Sequence, residues 1–283
     1  MKILRDPGEF RAFCAGCSEL GLVPTMGALH EGHLALVRAS RRRDAATAVS
    51  VFVNPTQFGP NEDFDRYPRT FEADCGLLEA EGTQAVFAPS AEAMYPPGHA
   101  TRIEVEGLSQ RLCGASRPGH FRGVATVVYK LFALARPARA YFGQKDAAQV
   151  AVIARMVSDL MLPVELVVCP IVREADGLAL SSRNALLSPD ERRAAPALAR
   201  ALRQVGAAYA RSERATAALL AAGREVIAAE PGLRLDYFAA VDAATLLPVE
   251  RSAPGTLFAV AAFAGTTRLI DNARVDAQGS FSL

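Results

Sequence analysis

Up to about residue 171 the chain alternates strand-like and helical segments, and no other feature constrains the fold as much. Leu20 to Thr25 reads as a short strand, followed by a helix from about His30 to Arg43. Ala48 to Val53 is an apolar strand, Thr70 to Ala80 a helix with Thr70 as its N-cap, and Gln84 to Ala88 another strand. Phe121 to Ala135 has helical periodicity and stops before Pro137. Ala138 to Gly143 is strand-like, Asp146 to Leu160 helical, and Val164 to Val168 a further strand. Repeated β-then-α order predicts an α/β fold: a doubly wound, mostly parallel sheet with helices on both faces.

The pattern changes after about Ile171. Ser188-Pro189-Asp190-Glu191 combines an N-cap serine, proline at the first helical position and an acid three residues on, so a helix starts there. Two Ala-rich helical stretches follow, split near Arg211-Ser212. Leu235 to Val241, Thr256 to Ala262 and Arg268 to Ile270 then read as strands of a small antiparallel sheet. The expected division is therefore a domain at 1–171 and a second, smaller α+β C-terminal domain at 172–283.

Bulk properties exclude several classes. A net charge of +1 leaves no basic stripe for nucleic acid, and Arg41-Arg42-Arg43 reads as a helix end where cations suit the dipole. Neither a signal peptide nor a membrane span is expected, since no window approaches the ~20 apolar residues a span requires. Of five cysteines, Cys14 and Cys17 have C-x-x-C spacing, but they lie in an amphipathic segment, Glu9 to Leu20, ahead of the first main strand, with no second pair to complete a zinc site. Reduced, structural thiols are expected, and with them a cytoplasmic location. Only three lysines occur, Lys2, Lys130 and Lys145, so a lysine inside a motif stands out.

Four segments carry chemistry. Pro24-Thr25-Met26-Gly27-Ala28-Leu29-His30-Glu31-Gly32-His33 leaves the first of these strands and opens the first of these helices, where an open parallel sheet binds ligands and unpaired helix-start N–H groups suit phosphate. His30 and His33 share one face of the first turn, and Gly27 and Gly32 allow close backbone approach. H-E-G-H lacks the spacing of a H-E-x-x-H zinc site. Asn54 and Gln57 leave another strand end and offer neutral donors and acceptors for hydroxyls and a carboxylate. Gly143-Gln144-Lys145-Asp146 leaves a third strand, with Gln149 in the first turns of the next helix. Leu180-Ser181-Ser182-Arg183-Asn184 offers two hydroxyls and a guanidinium as a phosphate clamp. Each of the last three reads equally as turn or loop by itself. Together they favour nucleotide chemistry.

These segments, with Asn61-Glu62-Asp63-Phe64-Asp65-Arg66-Tyr67-Pro68-Arg69-Thr70, Arg117-Pro118-Gly119-His120-Phe121-Arg122-Gly123-Val124 and Asp236-Tyr237, resemble the pantothenate synthetase (pantoate–β-alanine ligase) family over most of the chain. H-x-G-H alone would indicate only the wider nucleotidyltransferase superfamily. The resemblance implies a Rossmann-like N-terminal domain binding nucleotide and pantoate, a smaller C-terminal lid, a homodimer, and substrates ATP (with Mg2+), pantoate and β-alanine. It implies ATP contacts from Met26 through His33, Gly143 through Asp146, Val172 and Leu180 through Arg183. His33 takes the place of a proton donor, and Gln57 and Gln149 those of pantoate contacts; His30, Lys145 and Arg183 join His33 as candidate catalytic groups, and Asn54 joins the substrate contacts. Gln144 stands where an acid is common, Ala147 and Ala148 replace bulkier or polar residues, and Leu180 replaces a frequent Met. The groups that hold Mg2+ are not identified. An adenylyltransferase that leaves AMP on its product, and a non-catalytic nucleotide-binding module, are the other readings.

Overall fold

The computed structural model describes residues 1–60 and 62–283; Asn61, within one of the stretches quoted above, lies outside the described residues. Two compact units are present. One comprises Met1–Gln110, Gly114–Gly143 and Val152–Cys169; the other comprises Arg111–Cys113, Gln144–Ala151 and Pro170–Leu283.

In chain order the first part contains β1 (Lys2–Leu4), α1 (Pro7–Ala15), β2 (Leu20–Thr25), α2 (Glu31–Arg43), β3 (Ala46–Val51), α3 (Phe71–Ala80), β4 (Ala85–Phe87), α4 (Ala91–Met94), α5 (Cys113–Ser116), α6 (His120–Ala135), β5 (Arg139–Gly143), α7 (Ala147–Asp159) and β6 (Glu165–Cys169). The six strands form one parallel sheet in the order β1-β4-β3-β2-β5-β6. Strands buried on both faces read as near-continuous apolar runs, which is why β2 and β3 were legible. Successive side chains serve opposite faces. Tyr141 packs with Leu36 and Val37 of α2 and Leu78 of α3, whereas Phe142 meets Phe132 of α6 with ring centroids 6.5 Å apart. Phe10 of α1 stacks on Phe87 of β4 at 4.2 Å.

Strand order reverses between β2 and β5, so the carboxyl ends of these two neighbours flank the topological switch point. At the opposite end of the sheet a buried carboxylate closes the structure. Asp44 accepts from Tyr141 Oη at 2.6 Å, Ser40 Oγ at 2.8 Å and Arg139 Nη1 at 2.6 Å. Burial, then the Asp44 contact, raises the Tyr141 phenol above its ordinary range.

Some boundaries differ from expectation. The amphipathic segment at 9–20 is a helix only over Pro7–Ala15, because Asp6 caps it from Gly8 N and Glu9 N at 2.7 and 3.0 Å while Leu20 already belongs to β2. Burial, then the neighbouring Cys17, pushes the Cys14 thiol up to about 12, so it is no thiolate nucleophile. The three-residue β1 carries no strand signal of its own, since it acquires strand character only by pairing with β4.

The second unit holds α8 (Pro189–Ala194), α9 (Ala197–Ala210), α10 (Thr216–Ala228), β7 (Leu233–Asp242), β8 (Thr256–Ala264), β9 (Thr267–Val275) and β10 (Phe281–Ser282), the strands antiparallel in the order β10-β9-β8-β7. Ser188 and Glu191 form the expected capping box. Leu198, Leu202 and Val205 of α9 and Leu219 and Ile227 of α10 pack on Phe258, Val260 and Leu269. β9 extends five residues past the predicted end at Ile270, because Asp271 and Asn272 are buried polar residues with partners rather than a strand break.

Candidate active site

The turn after β2 is built around a glycine and a distant carboxylate. Thr25 Oγ1 donates to Ser50 O at 2.6 Å and accepts from Gly27 N at 3.2 Å, fixing where the chain leaves the sheet. Gly27 has φ +84° and Ala28 φ +50°, left-handed conformations that a side chain resists. A Cβ on Gly27 would lie 3.0 Å from both Asp74 Oδ2 and Val51 Cγ1. Asp74, in the first turn of α3 and 2% exposed, accepts from Ala28 N and Leu29 N at 2.9 Å each and from Thr70 Oγ1 at 3.1 Å. Thr70 is therefore the N-cap by position, but its side chain makes no cap bond.

His30 is the N-cap of α2, extended at φ −138° and ψ 174°, rather than its first helical residue. The two histidines form a reciprocal cap. Gly32 N donates to His30 Nδ1 at 3.1 Å, and His30 N donates to His33 Nδ1 at 3.4 Å. A neutral ring whose Nδ1 accepts carries its proton on Nε2, so each imidazole can donate through that nitrogen. Their centroids are 4.1 Å apart. This pair stands at a helix N-terminus whose dipole and N–H groups favour an anion. Gly32 lies between them, exposed Glu31 pairs with Arg38, and Leu29 packs on the adjoining core.

The turn after β3 lies close by. Asn54 caps the 3-10 turn Pro55–Gln57 and is 1% exposed. Its Oδ1 accepts from Thr56 Oγ1 and Tyr95 Oη, both at 2.9 Å, while Nδ2 donates to Gln57 Oε1 at 3.1 Å and Gly123 O at 3.2 Å. Asn54 thereby aims Gln57, whose Nε2 donates to Met26 Sδ at 3.1 Å. Gly123 permits α6 to press on this turn, since a Cβ there would meet Thr56 O at 2.3 Å. His120 Nδ1 lies 2.8 Å from Gln57 O, and Arg117 Nε reaches Glu62 at 2.7 Å. Burial would raise the Glu62 carboxyl, but the Arg117 contacts outweigh it and hold it below the usual range. In this unit, then, Met26 through His33, Asn54 and Gln57 come together.

Of the remaining candidates, Gly143 closes a segment of the first unit and the others belong to the second. Gln144–Asp146 form a 3-10 turn, with half-buried Lys145, and Gln149 follows in the first turn of α7. Val172 and Leu180 are joined across a hairpin-like turn by Leu180 N to Val172 O at 2.9 Å. Ser181 then caps the 3-10 helix Ser182–Leu186, accepting from Arg183 N at 3.3 Å. Gly143, the last residue of β5, is the point from which the chain enters the Lys145 turn.

The family model described as pantoate-beta-alanine ligase matches residues 2–274. The chain belongs to the pantoate-beta-alanine ligase family. A pantothenate synthetase of Acidobacterium capsulatum is 63% identical over 257 residues, 91% of this chain and 86% of that one. The crystal structure of a pantothenate synthetase from Thermus thermophilus superposes with a TM-score of 0.94 at 51% identity, covering 96% of this chain and 98% of the other. A pantoate-beta-alanine ligase from Francisella tularensis, complexed with beta-gamma ATP and beta-alanine, gives a TM-score of 0.79 at 33% identity over 96% and 97% of the two chains.

Two residues that hold the turns of this ligase-family chain carry no signal in the sequence. Asp74 reads as an ordinary acid in a helix first turn, although its partners lie 45 and 46 residues earlier. Tyr95 holds Asn54, and nothing in its neighbourhood marks it. Gly123 did carry a signal, because it falls inside the Arg117 to Val124 stretch.

Proposed function

We propose that the chain joins pantoate to β-alanine in two steps driven by ATP cleavage, and the observation that carries this reading is the reciprocal histidine cap at the carboxyl end of β2. In the first step a pantoate carboxylate oxygen attacks the α-phosphorus of ATP, the bond to the bridging oxygen breaks, and pyrophosphate leaves with pantoyl adenylate formed. In the second the β-alanine amine attacks the acyl carbon, AMP leaves, and the amine proton is lost to give pantothenate.

Negative charge grows on the leaving oxygens in the first step. The Nε2 donors of His30 and His33, the α2 N-terminus, Lys145 and Arg183 are the groups assigned to stabilise it. Met26 through His33, Gly143 through Asp146, Val172 and Leu180 through Arg183 take ATP; Gln57 and Gln149 take pantoate. Asn54 acts by holding Gln57, which its donated hydrogen bond to Gln57 Oε1 supports. The ATP is used as its Mg2+ chelate. Such an ion arrives on the triphosphate and keeps several waters. In the same proposal residues 1–171 bind nucleotide and pantoate and residues 172–283 serve as the lid domain, in a cytoplasmic homodimer.

Pyrophosphate–ATP exchange with pantoate and no amine tests the first half-reaction directly. Exchange that requires pantoate is expected. His33→Ala and Lys145→Ala each reduce it by roughly 10²–10³-fold with the fold intact, as for loss of one transition-state donor. Near-normal exchange in either folded variant defeats the role given to that residue.

A further inference from the structure

The turn that carries Lys145 is held from the side by one amide of the C-terminal sheet. Asn272 on β9 is 2% exposed, and its Nδ2 donates to Gln144 O at 2.9 Å and to Lys145 O at 3.0 Å. Its Oδ1 accepts from Gln144 Nε2 at 3.3 Å. Both hydrogens of the amide are thus spent on consecutive main-chain carbonyls, the most direct way for one side chain to set the course of a short turn.

Strand alternation explains why an asparagine is buried there. Leu269, Ala273 and Val275 of β9 belong to the core under α9 and α10. Asn272 has the opposite parity and faces away from those helices. It is buried because the Gln144–Asp146 turn covers it. The preceding residue secures the strand from the other face. Asp271, 3% exposed, receives Arg173 Nη1 and Nη2 at 2.7 and 2.9 Å, and Asn272 N donates back to Asp271 Oδ1 at 2.8 Å. Arg173 Nη1 also donates to Gly177 O at 3.0 Å, tying the same strand to the hairpin that joins Val172 and Leu180. Burial raises the Asp271 carboxyl above its ordinary value, against the opposing contacts of Arg173 and the more distant charge of Lys145.

We infer that Asn272 is the positioning residue of Lys145: by clamping the carbonyls of Gln144 and Lys145, it sets the direction in which the Lys145 ammonium is presented to the triphosphate. It touches neither substrate nor reacting atoms. The inference rests on the role given to Lys145 above. A cation on a four-carbon stem is directed only as well as its backbone is held, and a misplacement of about 1 Å at a reacting centre costs on the order of 10²-fold in rate.

A double-mutant cycle in pyrophosphate–ATP exchange, on the full chain, tests it with Asn272→Ala, Lys145→Ala and the double variant. Asn272→Ala is expected to lower kcat by ~10²-fold with the KM for pantoate little changed. The same substitution in the Lys145→Ala background is expected to cost nothing further, because residues acting as one unit are not additive. Equal losses in both backgrounds, or no loss from Asn272→Ala, overturn the inference. Lys145→Ala with undiminished exchange instead defeats the role of Lys145, an outcome seen in a separate arm. Should Asn272→Ala fail to fold, the isosteric Asn272→Asp in protein labelled with ¹³Cε-lysine gives the answer without catalysis. Three lysine signals are expected, from Lys2, Lys130 and Lys145. Only that of Lys145 is expected to move; an unmoved Lys145 signal overturns the inference.

Discussion

Replacing Asp74 by asparagine exchanges one carboxylate oxygen for an NH2 group and separates holding a turn from filling a space. The carboxylate takes two main-chain N–H groups at 2.9 Å and a threonine hydroxyl at 3.1 Å, in a side chain 2% exposed. An amide of the same shape has one oxygen, so whichever way it turns, either Ala28 N or Leu29 N faces an NH2 group. Hydrogen bonds to a charged acceptor contribute about 1.5–3 kcal/mol, and a buried donor left unpaired costs a similar amount. The turn concerned already contains a left-handed alanine, which costs roughly 1–2 kcal/mol to hold. Asp74→Asn should therefore lose about 2–3 kcal/mol. At roughly 2–4 °C per kcal/mol for a unit of this size, Tm falls by about 5–10 °C.

The catalytic consequence is separate. His30 follows the pinned residues directly, and its ring and that of His33 are oriented by main-chain N–H groups of the same segment. Loss of the clamp should lower pantoate-dependent exchange by ~10²-fold at a temperature well below the transition, where unfolding does not contribute. Calorimetry gives the first quantity and isotope exchange the second. A lowered Tm with unchanged exchange would show that the carboxylate only stabilises the fold. An unchanged Tm would refute the hydrogen-bond accounting itself.

Gly27→Ala should destabilise by about 1–2 kcal/mol, since its φ of +84° resists a side chain and the new Cβ lies 3.0 Å from Asp74 Oδ2; thermal melting measures this. Arg173→Ala leaves the Asp271 carboxylate buried and unpaired, a loss of roughly 3–5 kcal/mol at neutral pH. The deficit should depend on pH with a definite sign. Burial raises the folded-state pKa of Asp271, and removing Arg173 takes away the main opposing contact. The unfolded chain then ionises first, so the variant loses stability as pH rises from the ordinary carboxylate value towards the folded one, and recovers on acidification. Chemical denaturation across that range measures it; a deficit independent of pH contradicts the assignment to Asp271.

Local chemistry was readable wherever neighbours in sequence are also neighbours in space. The apolar runs of β2 and β3, the Ser188 capping box, and the strand-to-helix passage at Gly27–His33 all follow from contacts spanning a few residues. From these the doubly wound sheet and the nucleotide chemistry could be reasoned, and the longer quoted stretches pointed to the family. Helix and strand ends were less exact, as with α1, because caps compete and a single aspartate decides the outcome.

What only tertiary structure decided is which distant groups hold those local pieces. The sequence places Asp74 in a helix and Asn272 beyond a short strand, with no sign that one clamps Ala28 and Leu29 and the other the carbonyls of Gln144 and Lys145. The tautomer of the two histidines likewise depends on a cap geometry that His30, in extended conformation, completes only once the turn is folded. Residue type and spacing determine what chemistry a segment can offer. A buried polar group takes its partner from whatever packing brings within about 3 Å, and that partner is set by the fold as a whole.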